Sequence, residues 1–293
     1  MNPVFIKTMT PIEKYSISDI PYYVKREDLA CEAPAPPFAK VRGLYPHLQK
    51  MKELNVRRIG YMDTAISMGG WGLAYFCQRL KIPLTLYYPH YKQGFVYNQR
   101  EYMKKWKLCG ADMRAVEPPN LYAINILRAK KMFAAEFPEG VWMQDGLRFD
   151  ETIDAVAFES ATAMNELQPA TIVCNIGSGV MISGIMRGIL KSHKRVQRLV
   201  GVLAHRELNL QNKMKIVLQT AGFRELDFGL FGNKVKSITD DFTIVPGGYL
   251  YTEKARVLAP FPCNAYYDLK AFEWMIANIH QLPQPVLFWN IGA

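Results

Sequence analysis

The sequence predicts an α/β protein with mainly parallel sheets covered by helices, and three features predict it. Apolar runs of strand length recur along the chain and alternate with longer stretches of helical periodicity. Strand and helix in turn require crossover connections, which make neighbouring strands parallel and place helices on both sheet faces. With 293 residues, 49% of them hydrophobic, the chain can bury one large core or two moderate ones.

In chain order, Arg57–Met62 reads as a strand, Gly72–Leu80 as a helix and Leu84–Tyr88, rich in aromatic and apolar residues, as the next strand. The helical pattern of Asn98–Leu108 leads to a strand at Asp112–Val116, and Leu121–Phe137 and Asp150–Leu167 read as helices. The uninterrupted run Thr171–Ile176 is a strand, Met181–Leu190 a helix and Arg198–Leu203 a strand; Leu269–Asn278 and Val286–Trp289 close the series as helix and strand. Breakers stand at Ala33–Pro37, Pro118-Pro119, Pro246-Gly247-Gly248 and Pro283–Pro285, none long or polar enough for a flexible linker. No repeat or low-complexity tract occurs. Residues 45–141 carry their own strand and helix alternation and read as a smaller lobe inserted in a larger one made of 1–44 and 142–293.

Composition narrows the function. Lys and Arg number 36 against 26 Asp and Glu, a net charge of +10, with basic clusters at Lys104-Lys105-Lys107, Arg128-Lys130-Lys131 and Lys191-His193-Lys194-Arg195. Such an excess draws in polyanions, a nucleic acid or a phosphorylated substrate, although charges at this spacing also form ordinary solvated helix faces. The five cysteines are scattered and never spaced as CxxC, which argues against a disulfide framework or zinc ribbon and for a reducing compartment. Without a signal-like N-terminus or a membrane-length apolar run, a cytoplasmic location and no membrane partner are expected. The five histidines show no metal-ligand spacing, so no metal is expected, and Ile176–Val180 lacks the outer glycines of a nucleophile elbow.

Two features carry chemistry. Gly177-Ser178-Gly179 follows an apolar strand and precedes a helical pattern, so its N–H groups, with those of Val180 and Met181, stand at a helix N-terminus where the macrodipole favours an anion. It is a phosphate cradle or a plain tight turn; a dinucleotide fingerprint would want a third glycine where Ile182 stands. The second is Lys40. An amine at one end and an anion site at the other are what pyridoxal 5'-phosphate requires: a Schiff base and a phosphate cradle.

Tyr22–Leu29 (YYVKREDL) followed by Lys40-Val41-Arg42 and Leu44 resembles the opening of the fold type II, tryptophan synthase beta-like pyridoxal-phosphate enzymes, nearest the aminocyclopropane-carboxylate deaminase and D-cysteine desulfhydrase branch. Four further segments agree in order: Thr64–Ala74 with the family's substrate-carboxylate loop, Gly177–Gly184 with its phosphate loop, Tyr267–Ala271 with its Y-[ET]-G-K-[AS] stretch, and Val286–Gly292 with its closing strand. The resemblance spans almost the whole chain. It implies a two-lobed fold, a Schiff base on Lys40, phosphate binding by Gly177 to Met181 and a carboxylate, Asp268, facing the pyridine nitrogen. It further implies Tyr267 as a nucleophile or proton donor, and a homodimer. Tyr267-Asp268 is equally readable as a plain helix start. On the substrate side Thr64, Ser67 and Trp71 stand in the carboxylate loop, where Met68, Gly69 and Gly70 replace the family's asparagine motif.

Three functions follow as expectations. The first is a lyase, deaminase or decarboxylase acting at Cα of a free amino acid. The second keeps this chemistry, decarboxylation in particular, but acts on an amino acid attached to a DNA base, as in phage thymidine hypermodification; the altered loop and the +10 charge favour it. The third is a non-catalytic binding module on the same fold.

Overall fold

The computed structural model describes residues 5–90, 100–117, 122–205, 209–223 and 233–293; Asn98, Pro118-Pro119 and Leu121 lie outside the described residues. Two compact units are present. One contains Ala33–Pro36 and Gly43–Phe149, the other Ile6–Glu32, Pro37–Arg42 and Asp150–Ala293.

The second unit is built on a six-stranded sheet. Its strands are β1 (Ile12–Ile17), β2 (Ile20–Arg26), β7 (Thr171–Ile176), β8 (Val196–Leu203), β9 (Thr239–Pro246) and β10 (Val286–Asn290), in the order β1-β2-β10-β7-β8-β9. Only β1 with β2 is antiparallel; the other four pairings are parallel. Because side chains alternate across a strand, successive residues of β7, β8 and β10 feed two different cores. Ile172, Cys174, Leu199, Leu203, Leu287 and Trp289 pack towards α5 (Asp150–Glu166), α6 (Val180–Lys191) and α7 (Leu210–Ala221). Val173, Val200, Val202, Val286 and Phe288 pack with α9 (Asp268–Asn278). Burial on both faces explains why these strands read as predominantly apolar runs without strict alternation.

Helix α6, which carries the glycine turn at its start, is seated very close to α5. A Cβ on Gly184 would stand 2.6 Å from Val156 Cβ, and one on Gly188 would collide with Ala157 and Ser160. Two glycines one turn apart therefore let the backbones approach, and Ser160 Oγ donates to Ile185 O at 3.0 Å across the seam. The position of the turn is thus fixed by packing.

The other unit has a four-stranded parallel sheet, β5 (Asp112–Val116), β4 (Leu84–Pro89), β3 (Ile59–Met62) and β6 (Val141–Trp142). Helices α2 (Gly69–Leu80), α3 (Arg100–Leu108) and α4 (Tyr122–Glu136) accompany it, and α1 (Val41–Glu53) begins directly after Lys40. The short helix α8 (Asn233–Lys236) belongs to the unit of the six-stranded sheet. The α/β class and its mainly parallel sheets are as expected, with element ends displaced by a few residues. The hairpin β1–β2, α1, β6, α7 and β9 were not expected. No described helix is long and apolar enough to cross a membrane.

Candidate active site

Lys40 is held by the end of β10. Ala39 N donates to Ile291 O at 2.8 Å, Ala293 N donates to Pro37 O at 3.1 Å, and Phe38 forms a bridge with Gly292. Ala39 and Val41 are fully buried, so the backbone on both sides of the half-buried lysine is fixed. The apolar Phe38 and Ala39 are therefore packing residues. Lys40 Nζ donates to Ser178 Oγ at 3.3 Å, joining residues 138 positions apart.

The glycine turn closes β7 and opens α6. Gly179 is the N-cap of α6, with φ at +92°, a backbone conformation that favours glycine, and it provides no side-chain cap. First-turn N–H groups without such a cap are suited to an external anion. Val180 and Met181 bury their side chains in the core, so only their backbones can contribute to an anion site. A Cβ on Gly177 would have Tyr267 Cε1 as its nearest neighbour at 3.9 Å, which puts the Tyr267 ring along this loop. Asn175 Nδ2 donates to Tyr267 O at 2.9 Å, tying the end of β7 to the start of α9.

Tyr267 and Asp268 do begin a helix, with Tyr267 at its N-cap, yet no side-chain cap hydrogen bond is made there. Asp268 Oδ1 accepts from Ile291 N at 3.2 Å, across to the end of β10. The Tyr267 hydroxyl lies 2.5 Å from that of Tyr251. Asp268 is only 2% exposed and has no Lys or Arg at ion-pair distance among the described residues. Burial above all, with Asp28 nearby, pushes its carboxyl from 3.8 up to about 8. A buried acid in this state fits a cationic ring nitrogen, whose charge would draw it back to the carboxylate. With the amine of Lys40 and the uncapped turn at the start of α6, the residues fit a phosphate-bearing pyridine cofactor.

The raised pKa has a measurable consequence. Stability from protonated, buried Asp268 is fully present below about pH 4 and is lost as pH rises through the folded-state value. The cofactor-free protein is therefore expected to lose thermal stability between these limits, and Asp268→Asn to remove that share of the slope. Melting temperatures measured across the window, with equal slopes in parent and variant, would contradict this assignment.

Thr64, Ser67 and Trp71 belong to the other unit, between β3 and the first turn of α2. Asp63 organises this loop, accepting from Thr64 N at 2.8 Å and from Gly70 N at 2.5 Å. Burial raises its carboxyl to about 7 against the lowering effect of Gly70, Thr64 and Ser67. Ser67 Oγ also accepts from Gly69 N at 3.2 Å, so the loop's polar groups largely serve one another. Gly70 is required by Trp106, whose ring would be 2.7 Å from a Cβ there. Trp71 stacks on Tyr102 at 5.9 Å between centroids, with Lys105 Nζ 5.3 Å from the Trp71 ring centre.

Sequence reasoning missed Asp63, Tyr251 and Lys213, whose Nζ donates to Gly177 O at 3.3 Å. It also missed the ion pairs of Lys25, Glu27, Arg42 and Glu159. One signal was available: four consecutive charged residues, Lys25 to Asp28, two closing β2 and two directly after it. Charges in such a place are paired. In the basic cluster at the end of α6, by contrast, Lys191 lies 3.5 Å from Asp154 and Arg195 2.5 Å from Asp240, as expected of a solvated face.

No protein-family model matches the chain. The chain is 33% identical over 290 residues, 97% of its length and 98% of the relative's, to the glycyl-dTMP PLP-dependent decarboxylase of Pseudomonas phage M6. Among solved structures it is similar to an ACC deaminase homologue, with a TM-score of 0.72 and 16% identity over 98% of this chain and 90% of that one. O-acetyl serine sulfhydrylase isoform 3 from Entamoeba histolytica superposes with a TM-score of 0.65 and 13% identity, over 97% of this chain and 85% of that one.

Proposed function

The chain belongs to the fold type II pyridoxal-phosphate-dependent enzymes, in the family of the phage decarboxylase, and from that premise we propose that it decarboxylates an amino acid attached to a thymine nucleotide. The observation that carries this reading is the end-to-end likeness to the phage glycyl-dTMP decarboxylase. The enzyme is a member of a lyase family, and its cofactor is pyridoxal 5'-phosphate.

In this reading Lys40 holds the cofactor covalently and Ser178, with the N–H groups at the start of α6, holds its phosphate. Asp268 keeps the proton on the ring nitrogen. When bound, pyridoxal phosphate supplies an electron sink for the pair left on Cα as a bond there breaks. The amine of Lys40 would also move the proton that takes the place of CO2 at the substrate Cα. Tyr267 and Tyr251 form a hydroxyl pair able to pass a proton to the same region.

On the substrate side we assign Thr64, Ser67 and Trp71. Asp63 already takes N–H groups of that loop, which disfavours firm retention of a free substrate carboxylate and suits a reaction that expels it. The Trp71–Tyr102 stack with Lys105 offers a flat aromatic surface and a cation, the chemistry that recognises a base and a phosphate.

The test supplies the cofactor-loaded protein with a glycine-bearing thymine nucleotide, free and within DNA, beside a panel of free amino acids, and follows the products by mass spectrometry. Loss of CO2 from the conjugate is the expected outcome. An unchanged conjugate together with turnover of a free amino acid would overturn the reading.

A further inference from the structure

The two ends of the cofactor make demands that Lys40 cannot meet at once. Its Nζ lies 3.3 Å from Ser178 Oγ, at the phosphate turn, but the same nitrogen must bond the cofactor's aldehyde carbon. A nitrogen bound there keeps at most one N–H and is held at the ring. The phosphate ester carries about −1.5 to −2 charges, whereas a helix N-terminus contributes only about +0.5. Ser178 adds a dipole and no charge. A full cation from elsewhere would complete the balance.

Lys213 is placed to provide it. The helix that bears it, α7, is packed on the turn: Ser183 Oγ lies 2.8 Å from Gly179 O and 2.9 Å from Val217 O, with one hydroxyl proton to share between them. A Cβ on Gly179 would stand 3.1 Å from Val217 Cγ2. From the first turn of this helix Lys213 Nζ donates to Gly177 O at 3.3 Å. An ammonium has three donors, and the one given to the Gly177 carbonyl keeps the charge of Lys213 at the turn. The side chain is half-buried, which strengthens its attraction for a phosphate over that of an exposed lysine.

We propose that Lys213 is a cofactor-binding residue whose ammonium, anchored on the Gly177 carbonyl, pairs with the phosphate ester of pyridoxal phosphate. The assignment rests on the cofactor and not on which substrate is decarboxylated. It is tested by titrating the cofactor-free protein with pyridoxal phosphate and with pyridoxal, which lacks the phosphate, and reading the visible absorption. Lys213→Gln keeps a donor for Gly177 and removes the charge; Lys213→Arg restores the charge.

Lys213→Gln is expected to weaken pyridoxal phosphate binding about tenfold or more, to leave pyridoxal binding unchanged and to flatten the salt dependence of the phosphate form. Lys213→Arg is expected to recover most of the loss. Equal weakening of both ligands would show that Lys213 only shapes the turn. Unchanged affinity for pyridoxal phosphate, or a rise confined to the KM of the nucleotide substrate, would equally overturn the proposal. Melting temperatures of the cofactor-free variants establish that each is folded.

Discussion

Replacing Lys40 by alanine is expected to abolish the yellow colour of the cofactor-loaded protein and to lower turnover by at least about a thousandfold. In the proposed function the amine has two tasks, holding the cofactor and moving a proton at Cα, so its loss would remove both steps. Other buried amines of the same unit are committed elsewhere. Lys25 is paired with Glu159, and Lys270 donates to Ala204 O at 2.7 Å and Leu250 O at 3.1 Å. Since the backbone around residue 40 is fixed by its hydrogen bonds to the end of β10, the variant should fold and melt close to the parent. It should still take up the cofactor through the phosphate turn, without the covalent bond. A small added amine should restore part of the turnover. Colour and activity retained in Lys40→Ala would sink the assignment of this lysine.

Much of the fold was legible because burial on both faces leaves a strong mark. The runs Thr171–Ile176 and Val286–Trp289 are mostly apolar and buried at every position, and both are central strands of the larger sheet. The hairpin β1–β2 left no such mark. Its strands mix tyrosines with charges, and its turn places Ser18 and Asp19 at φ of 47° and 65° without the glycine that ordinarily announces it. Helix α1 has Pro46 inside it and Gly43 near its start, both of which weaken a helical reading.

The site divides in the same way. Lys40, the glycine turn and Asp268 could be named because each lies in a local pattern that resembles a known family. Tyr251 and Lys213 could not, because each acquires its meaning from a residue brought to it by the tertiary fold, Tyr267 in one case and Gly177 in the other. The clash of readings over substrate has a comparable origin. Loss of the asparagine motif was visible at Met68 to Gly70, but the carboxylate of Asp63 that takes up the loop's N–H groups appears only when the chain is folded. A non-catalytic module was a third reading; the end-to-end likeness to a decarboxylase places the chain among enzymes instead.

Glu159→Gln is expected to cost about 3–5 kcal/mol of stability, the range for breaking one partner out of a buried ion pair. Glu159 is fully buried on α5 and faces two cations, Lys25 of β2 and Arg42, the latter at 3.0 Å. Arg42 also pairs with Glu27 and donates from Nε to Lys7 O at 3.0 Å, while Thr10 Oγ1 donates to Glu27 at 2.6 Å. Two cations and two anions are thus shut away together, and the set is neutral only as a whole. An amide at position 159 leaves two buried positive charges with one anion, and solvent cannot compensate. For a chain of this size the loss corresponds to a fall of the order of 10 °C in melting temperature. Activity should suffer less than stability in molecules that remain folded, because Glu159 acts on Lys40 only through Arg42, two residues along the chain. The cofactor should therefore still bind, with a weaker affinity as the backbone before α1 loosens. Thermal unfolding of Glu159→Gln within a degree or two of the parent would show that the four charges contribute nothing as a set. It would also shift the anchoring of Lys40 entirely onto its hydrogen bonds with the end of β10.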